Sequence, residues 1–135
     1  MILSNTTEND ILKLLLVGTY PAWRAGATGY VALYTDDPGE AGTAITSEAT
    51  YTSYDRVAVT KATGWTDGGS TFTNSGLIQF PQCTGGTNTI THFGIVTTAS
   101  GAGQLLASGS LSSSLSVSSG IQPQFAAGAL DVTET

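Results

Sequence analysis

The chain contains few of the residues on which most enzymes and nucleic-acid-binding proteins depend. Its 135 residues include one cysteine, Cys83, one histidine, His92, and four basic residues against ten acidic ones. A single cysteine excludes an internal disulfide and any multi-cysteine metal site. Duplex nucleic acid and anionic membranes are bound mainly through clustered lysine and arginine, and the chain has no such cluster. We therefore expect neither nucleic acid nor membrane as a partner.

Long apolar runs and a basic leader are also missing. The run Ile11–Val17 is too short to span a membrane, and it follows Glu8 and Asp10 rather than a basic segment, so no secretion signal is expected. Charged residues make up only 10% of the chain, whereas apolar residues reach 40% and alternate regularly. That composition argues against disorder and predicts a single folded domain, residues 1–135.

The N-terminal segment predicts one α-helix at about residues 7–17. Thr6 or Thr7 is expected to cap its first turn, and Gly18 to end it in the left-handed conformation. The apolar side chains share one broad face, formed by Leu12, Leu15 and Leu16 and widened by Ile11 and Leu14. So broad a face must be covered. We expect the domain's own core to cover it, with a second chain as the alternative.

After Pro21 the pattern changes to the alternation of β-strands. Seven or eight short strands are predicted, with candidates at Gly29–Thr35, Tyr54–Thr60, Gly76–Pro81, Thr89–Thr97, Gly103–Leu111, Leu115–Gly120, Ile121–Phe125 and Ala129–Thr133. Clusters of glycine, serine, threonine and asparagine separate them, and the helical period does not return. The prediction is a mainly β protein, a single antiparallel, jelly-roll-like β-sandwich with one N-terminal helix.

The segment LYTDDPGEAG, Leu33–Gly42, concentrates acidic residues. Asp36, Asp37 and Glu40 could supply some ligands to calcium, but that ion takes about six to eight oxygens. The segment lacks the alternating ligands and the terminal bidentate glutamate of a helix–loop–helix calcium site. Pro38 restricts one φ angle, and the glycine after it can adopt a positive φ. We therefore predict an exposed turn and no metal ion.

Candidate catalytic residues are equally sparse. His92 lies in an apolar strand, and no serine lies in a G-x-S-x-G nucleophile elbow. Cys83 has no basic neighbour in the sequence to activate it, and no glycine-rich segment precedes a helix in the manner of a phosphate loop. We predict no catalytic residue, no cofactor, no small-molecule substrate and no enzymatic activity.

Two other groups of residues are candidates for contacts. Glu48 and Arg56 flank YTSY, and arginine forms two-point hydrogen bonds with carboxylates. Arg56 is expected either to anchor a loop or a neighbouring subunit, or to remain a solvated charge at a strand end. The aromatic residues could form a sugar-binding platform or belong to the core and interfaces: Trp23, Trp65, Tyr51 and Tyr54.

The order of several short motifs resembles a family of small structural virion proteins from tailed bacteriophages. The motifs are LYTDDPGEAGTAITSE, YDRVAV, LIQFPQ, THFGIV and GQLLASGSL, and the resemblance covers about Ile2 to Leu111. It implies a non-enzymatic protein assembled in the bacterial cytoplasm. The family resemblance does not distinguish head from tail.

We expect a capsid decoration, or cement, protein on the outer surface of the head, since the chain has few charged residues and the cores of protein interfaces are depleted in charge. It would contact the major capsid protein and itself, as a dimer or trimer. A minor tail or baseplate protein and a carbohydrate-binding β-sandwich for host attachment are the alternatives. The residues predicted to form the interface are Leu12, Leu15, Leu16, Trp23, Tyr30, Tyr34, Arg56 and His92.

Overall fold

All strand pairs in the computed structural model, which describes residues 1–133, are antiparallel. The described residues form one α-helix, one 3₁₀ turn and ten strands, which confirms a mainly β protein. In chain order these are β1 (Ile2–Leu3), α1 (Asn5–Val17), the 3₁₀ turn (Ala22–Arg24), β2 (Thr28–Tyr34), β3 (Val57–Thr60), β4 (Trp65–Asp67), β5 (Thr71–Asn74), β6 (Ile78–Gln79), β7 (Asn88–Val96), β8 (Leu105–Val117), β9 (Gln124–Phe125) and β10 (Asp131–Thr133).

The main sheet has five strands in the order β1-β8-β7-β2-β3, and buried side chains lie on both of its faces. Alternation along β2 places Val31 and Leu33 on one face, where they pack with side chains from the two smaller sheets, β10-β5-β4 and β6-β9. Ala32 and Tyr34 lie on the other face and pack with Ala44 of the following loop. The arrangement is therefore sandwich-like, with a second, smaller apolar cluster on the outer face of the main sheet.

Two predictions about the strands are wrong. The candidates Gly103–Leu111 and Leu115–Gly120 belong to one strand, β8, because a bulge lets it continue through its serine-rich centre. Ser110 pairs with His92 and Leu115 pairs with Ile90, so four residues of β8 oppose one of β7. The alternation of apolar residues also failed to predict β1, β4 and β5, which are short. β1 pairs with the distant β8, whereas β4 and β5 pair with each other as a local hairpin.

The helix begins earlier than predicted. Ser4, and neither Thr6 nor Thr7, is the N-cap, and its Oγ accepts a hydrogen bond from the Thr7 amide over 3.2 Å. Thr7 lies within the first turn of the helix, and its side chain is buried. Gly18 ends the helix in the left-handed conformation, φ +76°, as predicted. No helix among residues 1–133 has the length and apolar character needed to cross a membrane.

Gly94, in the THFGIV segment of β7, allows the outer cluster to pack against the strand. A Cβ at this position would lie 2.7 Å from Cε2 of Tyr34 and 2.9 Å from Cδ1 of Leu105. Both distances are shorter than ordinary van der Waals contact. Because Tyr34 and Leu105 are both fully buried, neither has open space to move into. Glycine is therefore required here for packing.

Candidate functional site

The N-terminal end of α1 is attached to the main sheet. The Ser4 amide donates to the Leu106 carbonyl over 3.1 Å, and the Asn5 amide donates to the Glu40 carbonyl over 2.9 Å. Thr7 Oγ1 lies 3.0 Å from Ser4 Oγ. The first turn therefore has a defined position against β8 and the acidic loop.

A hydrogen-bonded network joins the middle of α1 to the 3₁₀ turn and to the start of β8. The Trp23 indole Nε1 donates to Asp10 Oδ2 over 2.9 Å, and the same oxygen accepts from Gln104 Nε2 over 3.1 Å. Gln104 Nε2 also donates to Thr7 Oγ1 over 3.1 Å. The Lys61 ammonium donates to the Trp23 carbonyl. These bonds determine the position of the Trp23 ring relative to the sheet.

The leucines predicted to form an interface lie on the outer side of α1. Leu12 is 54% exposed, Leu15 is 72% exposed and Leu16 is 79% exposed, whereas Ile11 and Leu14 are partly buried. The expectation that the domain's own core covers this face is wrong, because α1 directs Thr7 toward the sheet and its broadest apolar stripe outward. We call Leu12, Leu15 and Leu16 the leucine face.

Arg56 lies inside the domain and forms the predicted pair with Glu48. Its Nε donates to Glu48 Oε1 over 2.7 Å, and its Nη2 donates to Glu48 Oε2 over 2.8 Å. The guanidinium also donates to the carbonyls of Thr98 and Gly101, at 2.9 and 2.8 Å. The hydrogen bond to Glu48 raises the pKa of Arg56 above its ordinary value. Arg56 therefore anchors loops of its own chain.

Two tyrosines surround this ion pair. Tyr54 donates its hydroxyl to Glu48 Oε1 over 2.9 Å, and Tyr34 donates to the Ala44 carbonyl over 2.9 Å. Burial raises the pKa of the Tyr34 hydroxyl and of the Tyr54 hydroxyl above the ordinary value for tyrosine. Tyr34 has no exposed surface, and Arg56 is also buried. The prediction that Tyr34 and Arg56 form an interface is therefore wrong, because internal contacts already satisfy both.

The remaining predicted interface residues are partly exposed. Trp23, Tyr30 and His92 are each partly buried. His92 Nδ1 lies 2.8 Å from Thr91 Oγ1, and its strand position is opposite Tyr34. Trp23 is attached to α1 through Asp10, whereas Tyr30 and His92 belong to the main sheet.

The acidic loop is a turn, as predicted. Asp36 Oδ1 accepts from the Asp37 amide over 2.8 Å, and Asp37 Oδ1 accepts from the Gly39 amide over 2.9 Å. Gly39 has a φ of +71°. Within residues 1–133, no three histidine, cysteine, aspartate or glutamate side chains are grouped so that they could hold a metal ion.

Sequence reasoning missed Asp10 and Gln104 as members of the network around Trp23. An acidic residue near the start of a helix interacts favourably with the helix dipole. That role already explained Asp10, so the sequence gave no reason to expect a hydrogen bond between Asp10 and another segment. Gln104 lies 94 residues away in sequence from Asp10. Only the folded chain brings the two together.

The model of the family Podophage GP4 fiber I protein gp80 matches residues 2–133 of the chain. The match covers nearly the whole sequence, and the chain belongs to this family. It is therefore a structural protein of the bacteriophage virion, which confirms the predicted resemblance at that level. No curated protein sequence matches the chain significantly.

Proposed function

We propose that this member of the podophage fibre family is a structural subunit of a virion fibre, joined to a second copy of itself through the leucine face. The family description supports a fibre rather than another part of the virion. The observation that carries the proposed contact is the exposure of Leu12, Leu15 and Leu16 on α1. Contiguous apolar surface of this kind commonly marks an interaction site.

Estimates of the binding free energy indicate that one contact between two leucine faces is weak. Full burial of one leucine side chain contributes about 2 kcal/mol, so six leucines from two copies contribute about 12 kcal/mol at most. Association costs about 4–15 kcal/mol in lost translational and rotational freedom. A pair held by this face alone is therefore of modest affinity. Repetition of the contact along a particle would strengthen it, because linked contacts form at high effective concentration.

The first test replaces Leu12, Leu15 and Leu16 with glutamine and measures association by sedimentation equilibrium. The matched control replaces three exposed apolar residues elsewhere with glutamine, Ile45, Leu77 and Ile121. We expect the parent and the control to associate and the leucine-face variant to be monomeric. A parent that stays monomeric at all accessible concentrations, or a leucine-face variant that still associates, would contradict the proposal.

The position on the virion requires a measurement on particles. The head-surface position and the contact with the major capsid protein remain predictions, as does a minor tail position. Immunogold labelling of intact particles distinguishes labelled fibres from a uniformly labelled shell. Label spread evenly over the shell would favour the cement protein instead.

We also propose that the protein is not an enzyme, and the surroundings of its cysteine and its histidine support this. The Cys83 thiol is buried and lies 3.1 Å from the Gly85 carbonyl. The only histidine, His92, lies within hydrogen-bonding distance of its neighbour Thr91. The thiol has only backbone carbonyls as hydrogen-bond partners, and among residues 1–133 no third group is hydrogen-bonded to His92 to orient it against the Thr91 hydroxyl, as covalent catalysis needs.

A further inference from the structure

We propose that a cleft beside Trp23 binds a hexopyranose, a sugar in its six-membered ring form. The cleft lies where β2 begins and β7 ends, and its volume is about 290 Å³. It is lined by Trp23 together with Thr28, Lys61, Thr97, Thr98 and Gln104. This site is separate from the proposed contact between copies and does not depend on it.

The Trp23 ring is positioned before any ligand arrives. Its Nε1 donates to Asp10, and the Lys61 ammonium donates to the carbonyl of the same residue. Asp10 is itself held by Gln104. An aromatic wall positioned in this way costs little side-chain entropy on binding. Its apolar face suits the C–H groups on one side of a pyranose ring.

Hydrogen-bonding groups line the rest of the cleft. Thr97 Oγ1 accepts from the Gln104 amide, and Thr98 Oγ1 accepts from Arg56 Nη1. Both hydroxyls therefore still have a hydrogen to donate. Among residues 1–133, no hydrogen bond occupies the Thr28 hydroxyl or the Gln104 side-chain carbonyl. Donors and acceptors of this kind match the hydroxyl groups of a sugar, each of which both donates and accepts.

Size and charge disfavour other small ligands. Ligand pockets are commonly about 300–1,000 Å³, so this cleft lies at the small end and suits one sugar ring. Of the described residues that line it, Lys61 alone carries a charge, and the chain has a net charge of -6. A phosphorylated or polyanionic ligand would need more positive charge to offset that repulsion.

The other aromatic residues considered for a sugar platform have different environments. Tyr51 is buried, and the Tyr54 hydroxyl bonds to Glu48 and to the Leu33 amide. Trp65 packs against the main core. Among these candidates, Trp23 is the one that lines a cleft together with several hydroxyl groups. The geometry therefore places the sugar site at Trp23.

The test uses the two tryptophans of the chain, Trp23 and Trp65, as separate reporters. In Trp65→Phe all indole fluorescence comes from Trp23, and in Trp23→Phe it all comes from Trp65. Each protein is titrated with the methyl glycosides of glucose, galactose, mannose, rhamnose and N-acetylglucosamine, up to about 10 mM. This exceeds the millimolar Kd that corresponds to about 4 kcal/mol of binding free energy.

We expect at least one glycoside to change the fluorescence of Trp65→Phe in a saturable manner and to leave Trp23→Phe unchanged. Thr28→Val, added to Trp65→Phe, should weaken that binding about tenfold without changing the melting temperature, because valine keeps the shape and removes the hydroxyl. No response to any glycoside, an equal response in Trp23→Phe, or unchanged binding in the Thr28→Val protein would each overturn the proposal.

Discussion

Arg56 and Glu48 form a two-point ion pair inside the domain, with the arginine side chain only 2% exposed and the glutamate side chain 14% exposed. The same guanidinium bonds to the carbonyls of Thr98 and Gly101. One side chain therefore connects the segment after the acidic loop to the turn between β7 and β8. Its removal should loosen both loops together.

Glu48→Gln should destabilise the protein. The substitution keeps the shape of the side chain but leaves the Arg56 charge without a carboxylate in a poorly solvated position. Removing one partner of a buried pair costs about 3–5 kcal/mol. We expect about 3 kcal/mol, the lower end of that range, because the carbonyls of Thr98 and Gly101 still accept hydrogen bonds from the guanidinium. Urea unfolding measures the change, and exposed Glu40→Gln is the control. Equal stability of the two variants would contradict this role.

Gly94→Ala should also be destabilising. The new methyl group would lie within 3 Å of Tyr34 and Leu105, which have no free space to move into. Overpacking of this kind costs about 1–3 kcal/mol. Gly76→Ala is the matched control, since a Cβ added there would have no neighbour within 4 Å. Thermal unfolding of both variants measures the difference, and a Gly94→Ala protein as stable as the control would refute the packing argument.

Stability should fall steeply at alkaline pH. Burial raises the pKa of Tyr51 to about 12 and raises the pKa of Tyr34 and Tyr54 above its ordinary value. Above about pH 10 the unfolded chain loses these protons and the folded chain keeps them. The stability is therefore fully present below about pH 10 and is lost as the pH rises, at up to about 1.4 kcal/mol per pH unit for each tyrosine.

The measurement is the urea unfolding free energy at a series of pH values. Tyr54→Phe should be less stable at neutral pH, because the Leu33 amide and Glu48 lose a partner. Its unfolding free energy should nevertheless fall less steeply with pH above about pH 10, by the contribution of one tyrosine, up to about 1.4 kcal/mol per pH unit. An unfolding free energy that stays constant up to about pH 12 would contradict the prediction.

The acidic loop should tolerate the loss of its charges. In Asp36→Asn/Asp37→Asn/Glu40→Gln, each asparagine retains a side-chain oxygen that can accept from the same backbone amide as the aspartate it replaces. We expect the melting temperature to change by no more than about 2 °C. Calcium should have no effect on parent or variant. A rise in melting temperature with calcium in the parent alone would instead indicate a metal site.

Local patterns in the sequence were sufficient for several features. Alternation predicted the long strands β2 and β7, because side chains on successive strand residues point to opposite faces. Gly18 was identified as the helix terminator from its conformational freedom. The pairing of Glu48 with Arg56 was also indicated by the sequence, since the two residues flank YTSY and arginine forms two-point hydrogen bonds with carboxylates.

Other features depend on contacts that no local pattern encodes. The apolar face of the helix is broad, and whether Thr7 or Leu15 faces the sheet depends on hydrogen bonds to Leu106 and Glu40 far along the chain. The bulge in β8 lies between two paired positions, where Thr91 of β7 is opposite residues 111–114 of β8.

Neighbouring residues were therefore enough to establish the fold class, the helix terminator and the turn in the acidic loop, since each depends on local conformation. Folding of the whole chain was needed to expose the leucine face, to enclose Tyr34 and Arg56, and to bring Asp10 and Gln104 to Trp23. Those outcomes depend on which distant segments meet. Burial and hydrogen bonding between such segments are properties of the folded chain.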